Sequence, residues 1–429
     1  MKIHELYNFA KNELFRLNRS ITGKDTFKTL SLIKKKIPNL KIKKFKSGTK
    51  VFDWKIPPEW NVKNAYIKDK FGKKIIDFNK NNLHLIGYSI KQNKKIRKNE
   101  LLKRLFFLKK QPDAIPYITS YYNKTWGFCT TYKNFLEINR NYKKNDFFEI
   151  CIDTNHNSNG NLYYGECIIK GKSNKEVLIS SYICHPSMAN NELSGIIVSC
   201  ALISYFQKKK PSRTIRFILI PETIGSIAYI SKNLKKLKKN VIGGYNLSCI
   251  GDDRNHSCMF SKQQTSPSDE AIIEAYKKIK IKDYKIYSFL ERGSDERQYN
   301  SPGVDLPIAS IFRSKYGCYA EYHTSLDNFN LVTLSGIKGG FNVAKTAIEI
   351  LLNKIIPKNK VICEPMMSKK NLYPTISIKG KKPQVQTYMD FLQYADGLSS
   401  LENISKKIKL NIRETKNIFN IIKKNKLIE

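Results

Sequence analysis

Long apolar runs and paired cysteines are both missing from this sequence of 429 residues. No stretch approaches the ~18–20 uninterrupted apolar residues that a membrane span needs. The first residues carry no apolar core of a signal peptide. The nine cysteines are odd in number and scattered, and they contain no Cys-x-x-Cys pair. We therefore expect reduced core thiols, no membrane span and a cytoplasmic location.

Acidic residues are scarce, with 36 against 77 lysines and arginines, so the formal net charge is +41. Such an excess favours a nucleic-acid partner. The lysines are nevertheless spread along the whole chain, whereas a nucleic-acid groove would concentrate its charge and interleave aromatic residues. We interpret the excess as a solvated surface and expect only weak, non-specific binding of polyanions.

The sequence pattern changes twice along the chain. Residues 1–47 carry apolar residues at helical spacing and predict helices. Residues 48–148 contain short alternating segments and predict an inserted, mainly β domain. From residue 149 to 357, apolar strands alternate with amphipathic helices. That alternation indicates an α/β sheet covered on both faces, so residues 1–47 and 149–357 together form one discontinuous α/β domain.

The last part of the sequence predicts a separate helical module. Residues 358–372 predict a linker, and residues 373–429 a small domain. Three helical patterns joined by short turns are typical of a helix-turn-helix: Thr387–Tyr394, Ser400–Ile408 and Ile412–Lys423. The residues that follow them resemble the start of a wing. Winged helices read DNA through a recognition helix, but the charge here is no denser than elsewhere. We favour a protein partner and keep DNA as the weaker alternative.

Polar residues follow four predicted buried strands. Strand 177–183 precedes His185, strand 214–221 precedes Glu222, strand 241–250 precedes Asp252 and Asp253, and strand 306–312 precedes the loop of His323. Because ligands in open α/β sheets bind at the carboxyl edge of the strands, we expect these side chains to converge. Each alone has a structural reading as a loop, turn or helix-start residue. Together they favour a metal or catalytic site, since histidine and carboxylate ligands suit zinc.

Four motifs at these strand ends resemble a known family. They are HPSMANNELSG at residues 185–195, PETIGS at 221–226, GSDE at 293–296 and YHTSLD at 322–327. Together they are similar to the zinc aminopeptidases of the M28 peptidase clan. The closer match is a bacterial subgroup of aminopeptidase-like proteins with an inserted β domain and a C-terminal winged helix-turn-helix. That subgroup is often associated with surface-polysaccharide biosynthesis. The resemblance implies a zinc-peptidase-like, three-layer α/β/α sandwich.

The resemblance also implies roles for individual residues. His185 and His323 match metal ligands, Asn191 takes the place of the metal-bridging Asp, and Glu222 matches the acidic pair that supplies base and ligand. Asp252 is the best match for a further metal carboxylate, with Asp253 as its rival. Asp295 matches the Asp of a Ser-Asp-His motif that here reads Ser-Asp-Glu.

Two departures from the family pattern lower the expected number of metal ions. Asn191 is neutral, and Glu222 stands alone between Pro221 and Thr223. A pair of zinc ions would be poorly neutralised, so we expect one zinc ion and doubt a second site. The sequence leaves open whether Glu192, Glu296 or Glu321 supplies a missing carboxylate.

The leading hypothesis is a metal-dependent amide hydrolase acting on a small peptide or an N-acyl substrate of surface-polysaccharide biosynthesis. Glu222 would act as the base. Tyr322, Arg297 or Arg313 would hold a substrate carboxylate or an oxyanion. One alternative is a catalytically degenerate binding or scaffold protein with the same fold, and another is a nucleic-acid-binding regulator. The substrate, a homo-oligomeric state and the role of the inserted domain stay open: that domain either mediates dimer contacts or roofs the site.

Overall fold

The computed structural model describes residues 1–373 and 384–429. The strands are β1 (Lys41–Lys46), β2 (Lys50–Val51), β3 (Trp54–Lys55), β4 (Glu59–Lys68), β5 (Lys74–Asp77), β6 (Gln92–Arg97), β7 (Leu105–Phe106), β8 (Phe128–Cys129), β9 (Phe147–Asn157), β10 (Asn161–Ile169), β11 (Ser173–Tyr182), β12 (Arg213–Ile220), β13 (Val241–Leu247), β14 (Ser257–Met259), β15 (Lys285–Tyr287) and β16 (Ile308–Phe312). The helices are α1 (Ile3–Phe9), α2 (Lys24–Lys36), α3 (Lys98–Leu102), α4 (Tyr132–Asn141), α5 (Ser194–Phe206), α6 (Ile224–Asn240), α7 (Pro267–Lys278), α8 (Glu296–Tyr299), α9 (Leu334–Asn353), α10 (Gln384–Tyr394), α11 (Leu401–Lys407) and α12 (Ile412–Lys424).

The main sheet has eight strands in the order β1-β10-β12-β11-β13-β16-β14-β15. The central strands β12, β11, β13 and β16 are parallel, with Ile179 paired to Phe217 on one side and to Tyr245 on the other. Successive residues of β11 alternate between two cores. Val177 packs with α1, α2, α5, α7 and α9, and Leu178 packs with α6 and the inserted domain. This is the predicted α/β/α sandwich.

The N-terminal segment corrects one expectation, because residues 41–46 form strand β1 rather than a helix. The strand pairs antiparallel with β10 at the edge of the main sheet. Phe45 stacks on Tyr164 with ring centroids 5.3 Å apart. In a lysine-rich strand this ring is the one well-buried side chain, so cross-strand pairing overrides the weak helical pattern.

The inserted segment forms a separate four-stranded antiparallel sheet in the order β5-β4-β9-β6. Strand β9 belongs to this sheet, and the chain turns back at Gly160 to enter the main sheet through β10. Trp60 and Trp126 are buried in a core that also contains Ile220 and Ile224 of the α/β domain. Trp54 is 39% exposed. The two sheets therefore share apolar contacts and are not joined by a loose connection.

The C-terminal module packs α10, α11 and α12 around Phe391, Ile404 and Ile422. The segment predicted as a linker contacts this module, because Met367 belongs to the same core and Asn359 bridges to Ile428. Asn411 caps α12, and Glu414 completes the capping box.

Lys354, at the end of α9, joins the C-terminal module to the α/β domain. Its side chain is 3% exposed, and Nζ lies 3.2 and 2.7 Å from the carboxylates of Glu270 and Glu274 on α7. The carboxylate of Glu402 on α11 lies 3.3 Å away. Asn403 also donates to the carbonyl of Thr265 (3.0 Å). Helices from both modules therefore meet on a single buried cation.

Across residues 1–373 and 384–429, we find no helix with the length and apolar character that crossing a membrane requires.

Candidate active site

His185 lies just beyond the carboxyl end of the central strand β11. Ile183 still donates to the carbonyl of Ile220 on β12, so the chain leaves the sheet at Cys184. The His185 side chain is 4% exposed. It lies against Tyr117 and Tyr182, whose ring centroids are 5.4 and 5.1 Å from its own. Aromatic rings therefore restrict the orientation of this imidazole.

A buried carboxylate, that of Glu192, holds one nitrogen of His185. Nδ1 of His185 lies 3.3 Å from Oε2 of Glu192, and the same oxygen accepts from the backbone N–H groups of Cys184 and His185. The other oxygen accepts from Nε of Arg19, and both side chains are wholly buried. A carboxylate on Nδ1 fixes the tautomer and the ring plane of a histidine, so Nε2 of His185 is available as a ligand.

Nε2 of His185 faces Glu222, whose Oε2 lies 3.7 Å away. Glu222 follows β12, and its side chain keeps 18% exposure, so solvent reaches it. Burial raises the pKa of Glu222. Burial alone would lower the pKa of His185, but Cys184, Glu192 and Glu222 raise it well above its usual value. A positive charge, carried by a proton or a metal ion, is thus favoured between His185 and Glu222.

A second carboxyl, that of Asp295, lies beside the Glu222 turn. Its Oδ1 accepts from the backbone N–H of Thr223 and from the hydroxyl of Ser226, both at 2.8 Å. Its Oδ2 is buried without a hydrogen-bond partner among the described residues. Burial and the neighbouring Glu222 raise the pKa of Asp295 to about 8. Asp295 therefore ties the start of α6 to the loop of the GSDE motif.

His323 brings a second imidazole to this place. Its ring centroid lies 5.5 Å from that of His185, and its Nε2 is buried with no partner in the described part of the chain. Burial and the neighbouring His185 lower the pKa of His323 to about 3, so the ring is neutral and keeps a free lone pair. Its backbone has φ +55°, a conformation that is uncommon for a bulky side chain and that clusters at functional sites.

The inserted domain lies over His185 and His323. Tyr117 donates its backbone N–H to the carbonyl of His323 (2.8 Å), and Pro116 forms a backbone bridge with Thr324. The ring of Tyr117 lies edge-on to that of His323, with centroids 5.1 Å apart. Of the two roles left open by the sequence, the structure places this domain over the histidines.

Asn191 occupies a turn that is anchored to the His323 loop. Its backbone N–H donates to Oδ2 of Asp327 (3.0 Å), which also accepts from the hydroxyl of Tyr319 (2.9 Å). Asp327 further accepts from the backbone N–H of Asn190. Oδ1 of Asn191 is buried and finds no hydrogen-bond partner among the described residues. One carboxylate, Asp327, therefore holds the first and the last of the four motifs together.

The structure does not bring Asp252 to the histidines. Its carboxylate accepts from the side chain of Asn190 (2.9 Å), the backbone of Arg254 (3.0 Å) and both the backbone and the hydroxyl of Ser314 (3.0 and 2.8 Å). Its rival Asp253 is exposed and accepts from the hydroxyl of Thr333. The hydrogen bonds of both carboxylates are therefore made to groups other than the predicted metal ligands.

The reason is that β13 ends at Leu247, three residues before the predicted limit. The residue at the strand edge is therefore Ser248, which the sequence pattern does not indicate. Its hydroxyl is buried and lies beside Tyr182. The apolar pattern continues to Ile250, so the sequence carried no signal for this earlier strand end.

The other candidate carboxylates are already occupied. Glu192 pairs with Arg19. Glu296 accepts from two backbone N–H groups and from the hydroxyl of Tyr316 (2.7 Å). Glu321 forms two hydrogen bonds with Arg254, at 2.8 and 2.7 Å.

The three predicted substrate-binding residues have different surroundings. Tyr322 stacks on His323, with ring centroids 3.9 Å apart. Arg297 is exposed and donates to the hydroxyl of Thr223 (2.8 Å), beside Glu222. Arg313 is only 7% exposed and donates to the carbonyl of Asp252 (2.7 Å), so its guanidinium has a structural partner.

Two sets of side chains here could hold a metal ion. Cys184, His185 and Glu192 present ligand atoms within 4.8 Å of one another. Glu192, however, is engaged by Arg19, and burial raises the pKa of Cys184 to about 11, which disfavours the thiolate that a metal needs.

The second set is His185 Nε2, Glu222, the unpartnered Nε2 of His323 and the unpartnered Oδ1 of Asn191. Two imidazoles and one carboxylate match a catalytic zinc site with an open position. Two ligand atoms on a tetrahedral zinc, each ~2.0–2.1 Å from it, lie about 3.3 Å apart, close to the 3.7 Å between His185 and Glu222. The spacing of His185 and Glu222 is therefore compatible with a shared zinc ion.

Two family models together match nearly the whole chain. Residues 7–354 match a domain of unknown function, DUF4910, and residues 355–429 match a winged helix-turn-helix. A candidate polysaccharide biosynthesis protein with an aminopeptidase-like domain, from Clostridium acetobutylicum, is 38% identical over 422 residues, which is 96% of this chain and 93% of the relative.

Solved structures share the fold. A candidate peptidase from Clostridium acetobutylicum superposes with a TM-score of 0.79 at 35% identity, covering 100% of this chain and 96% of that one. A zinc aminopeptidase from Bacillus subtilis gives a TM-score of 0.60 at 14% identity, with 81% and 94% coverage. An M28 peptidase precursor from Shewanella amazonensis gives 0.55 at 12% identity, with 85% and 97% coverage. The last two show the fold alone.

Proposed function

The chain belongs to the DUF4910 family, in which it joins an aminopeptidase-like α/β domain to a winged helix-turn-helix, and on that basis we propose that it is a zinc-dependent hydrolase of small amides. The name of the Clostridium acetobutylicum relative extends the proposal to a step in polysaccharide biosynthesis. Its substrate would be a peptide or an N-acyl compound.

One observation carries the proposal. His185 is held at Nδ1 by the buried Glu192, and its Nε2 faces the solvent-accessible carboxylate of Glu222 at 3.7 Å. A histidine that served only to fill the core would not need a wholly buried Arg19–Glu192 pair to orient it. The unpartnered Nε2 of His323 and Oδ1 of Asn191 support the same reading, because buried polar atoms without partners are rare in folded proteins.

In the proposed site, His185 and His323 would hold one zinc ion, together with Glu222 and Asn191. When bound, zinc polarises an amide carbonyl and lowers the pKa of water. Glu222 combines solvent access with a contact to His185, so it accepts a proton from water and returns it to the leaving nitrogen. Arg297, exposed beside Glu222, binds a carboxylate of the substrate. Tyr322 and the roof residue Tyr117 shape the space over the histidines.

Zinc content measured by elemental analysis tests the proposal. Untagged protein is expected to hold about one zinc ion per chain, and His185→Ala and His323→Ala are expected to lose it with unchanged circular dichroism. His4→Ala is the matched control, since His4 is exposed on α1. Zinc retained by both site variants would refute the assignment. No zinc in the parent protein, even after zinc is supplied, would favour a catalytically degenerate binding protein with this fold.

A further inference from the structure

A cleft of about 740 Å³ lies beside the candidate active site, and none of the predicted site residues lines it. Its walls come from the segment after α1, from the loop after β5 in the inserted domain and from the loop after His323. Ser187 and Ser325 also line it. Each stands two residues after a predicted zinc ligand, and consecutive Cα atoms are ~3.8 Å apart, so the cleft wall comes within about 8 Å of both histidines.

The side chains of this cleft combine amides and phenyl rings with the charged groups of Lys11, Arg16, Asp25 and Lys80. The amides are those of Asn12, Asn18, Asn79, Asn81, Asn82, Asn328 and Asn330, and the rings are those of Phe15, Phe78 and Phe329. A side-chain amide offers a donor and an acceptor together, which is what a sugar hydroxyl requires. A half-buried phenyl ring offers a flat apolar surface to the C–H face of a sugar ring. The walls are loops and a helix, with no free strand edge of the kind that binds extended peptides.

Asn82 has an unsatisfied acceptor in this wall. Its side chain is 8% exposed, and its Nδ2 donates to the carbonyl of Arg16 (3.2 Å). Its Oδ1 is buried and makes no hydrogen bond within the described residues. A buried acceptor without a partner destabilises the fold, so the protein itself leaves this hydrogen-bonding capacity unused. The N–H and O–H groups of an amino sugar are donors of the kind that this acceptor lacks.

The aromatic part of the cleft is held in place before any ligand arrives. Phe329 packs edge-on against Tyr7 and Phe15, with ring centroids 5.3 and 5.5 Å apart. Phe78 follows β5 directly, and its backbone N–H donates to the carbonyl of Ala65 (2.9 Å). Binding on such a surface orders few side chains, so little conformational entropy is lost.

We propose that this cleft binds a sugar, so that the amide substrate is an N-acylated amino sugar within an oligosaccharide. The identity of the scissile amide rests on the proposed hydrolase function. Sugar binding itself needs neither zinc nor catalysis, and it is therefore measured separately.

The experiment is isothermal titration of the full-length, chelator-treated protein with tetra-N-acetylchitotetraose. Phe78→Ala and Asn79→Ala remove a ring and an exposed amide from the cleft. Phe71→Ala and Asn123→Ala are matched controls, because both residues are exposed and lie outside the cleft. We expect the parent protein to bind the sugar, each cleft variant to bind about tenfold more weakly or worse, and the controls to match the parent. Circular dichroism confirms that all variants fold.

No binding by the parent protein, or equal weakening in the controls, would overturn the proposal. Tetraglycine is titrated in parallel, and cleft-dependent binding of that peptide as tight as that of the sugar would also overturn it. Zinc content is measured on the same preparations before chelation. Cleft-dependent sugar binding by a protein that holds no zinc would remove the hydrolase function and leave the sugar site standing.

Discussion

Glu192 holds Nδ1 of His185 at 3.3 Å, and this contact determines which nitrogen of the histidine faces Glu222. The carboxylate also accepts from two backbone N–H groups at the turn after β11. It can stay buried because Arg19, drawn from the N-terminal segment, pairs with it. The orientation of His185 therefore depends on Arg19, which lies in the N-terminal segment before the inserted domain.

Removing the cation of this pair is expected to cost much of the stability of the fold. In Arg19→Met, the charge of Glu192 stays buried without its partner, which typically costs about 3–5 kcal/mol. The measurement is the free energy of unfolding from urea titration. Lys133→Met, which breaks the exposed pair with Asp113, is the control and should change stability by less than about 1 kcal/mol. Equal effects of the two substitutions would show that the Arg19–Glu192 pair has no special role.

Glu192→Gln is expected to weaken zinc binding by about 10–100-fold, the usual effect of losing a carboxylate behind a metal-binding histidine. The affinity is read from competition with a chromophoric chelator. Because this substitution would leave Arg19 without an anionic partner, the double variant Arg19→Met/Glu192→Gln serves as the control. It should recover stability without recovering zinc affinity. Full zinc affinity in the double variant would mean that Glu192 does not orient His185.

Asn191→Asp is expected to raise the zinc content above one ion per chain, because it restores a carboxylate where an unpartnered amide oxygen now stands. Elemental analysis at a fixed free zinc concentration measures this. Asn190→Asp is the matched neighbour. Both atoms of the Asn190 amide are already used, by Asp252 and by the backbone of Gly251. Asn190→Asp should lower stability and leave the zinc content unaltered. If Asn190→Asp raised the zinc content and Asn191→Asp did not, Asn191 would be excluded from the site.

His256 makes part of the stability sensitive to acid. Burial and the neighbouring Arg313 lower its pKa from 6.5 to about 4, and the neutral ring accepts from the guanidinium. Between those values the unfolded chain binds the proton more readily, so stability is full above pH 6.5 and is lost as the pH falls towards 4. His256→Gln should give a shallower loss of unfolding free energy over that range than the parent protein. An identical slope would contradict the assignment.

The strand ends could be predicted from the sequence because several apolar runs of strand length are each followed by His, Glu or Asp, and this combination favours a shared site. His185, Glu222 and His323 come together as the alternation of strands and helices indicates. Asp252 does not, because the apolar pattern continues through Ile250 although the hydrogen-bonded strand ends at Leu247. Apolar residues beyond a strand end still enter the core, so hydrophobicity alone does not locate the last paired residue.

The residues that support the site and line the cleft could not be predicted from the sequence, for a different reason. Arg19 lies in a segment whose sequence predicts only helix, and its partner Glu192 is 173 residues away. Phe78 and Asn82 come to the His323 loop only because the inserted sheet shares a core with the α/β domain. Such contacts depend on how domains pack, which periodicity within one segment does not encode.

The buried cation at the end of α9 has a consequence for how the molecule comes apart. Lys354 is neutralised in part by Glu402 of the C-terminal module, so separating the modules would leave its charge at a surface where Glu270 and Glu274 alone remain. Detachment therefore breaks the Lys354–Glu402 ion pair and the Asn403–Thr265 hydrogen bond together. Heating should accordingly produce a single cooperative melting transition. The winged helix should unfold together with the larger domain and not as an independent domain.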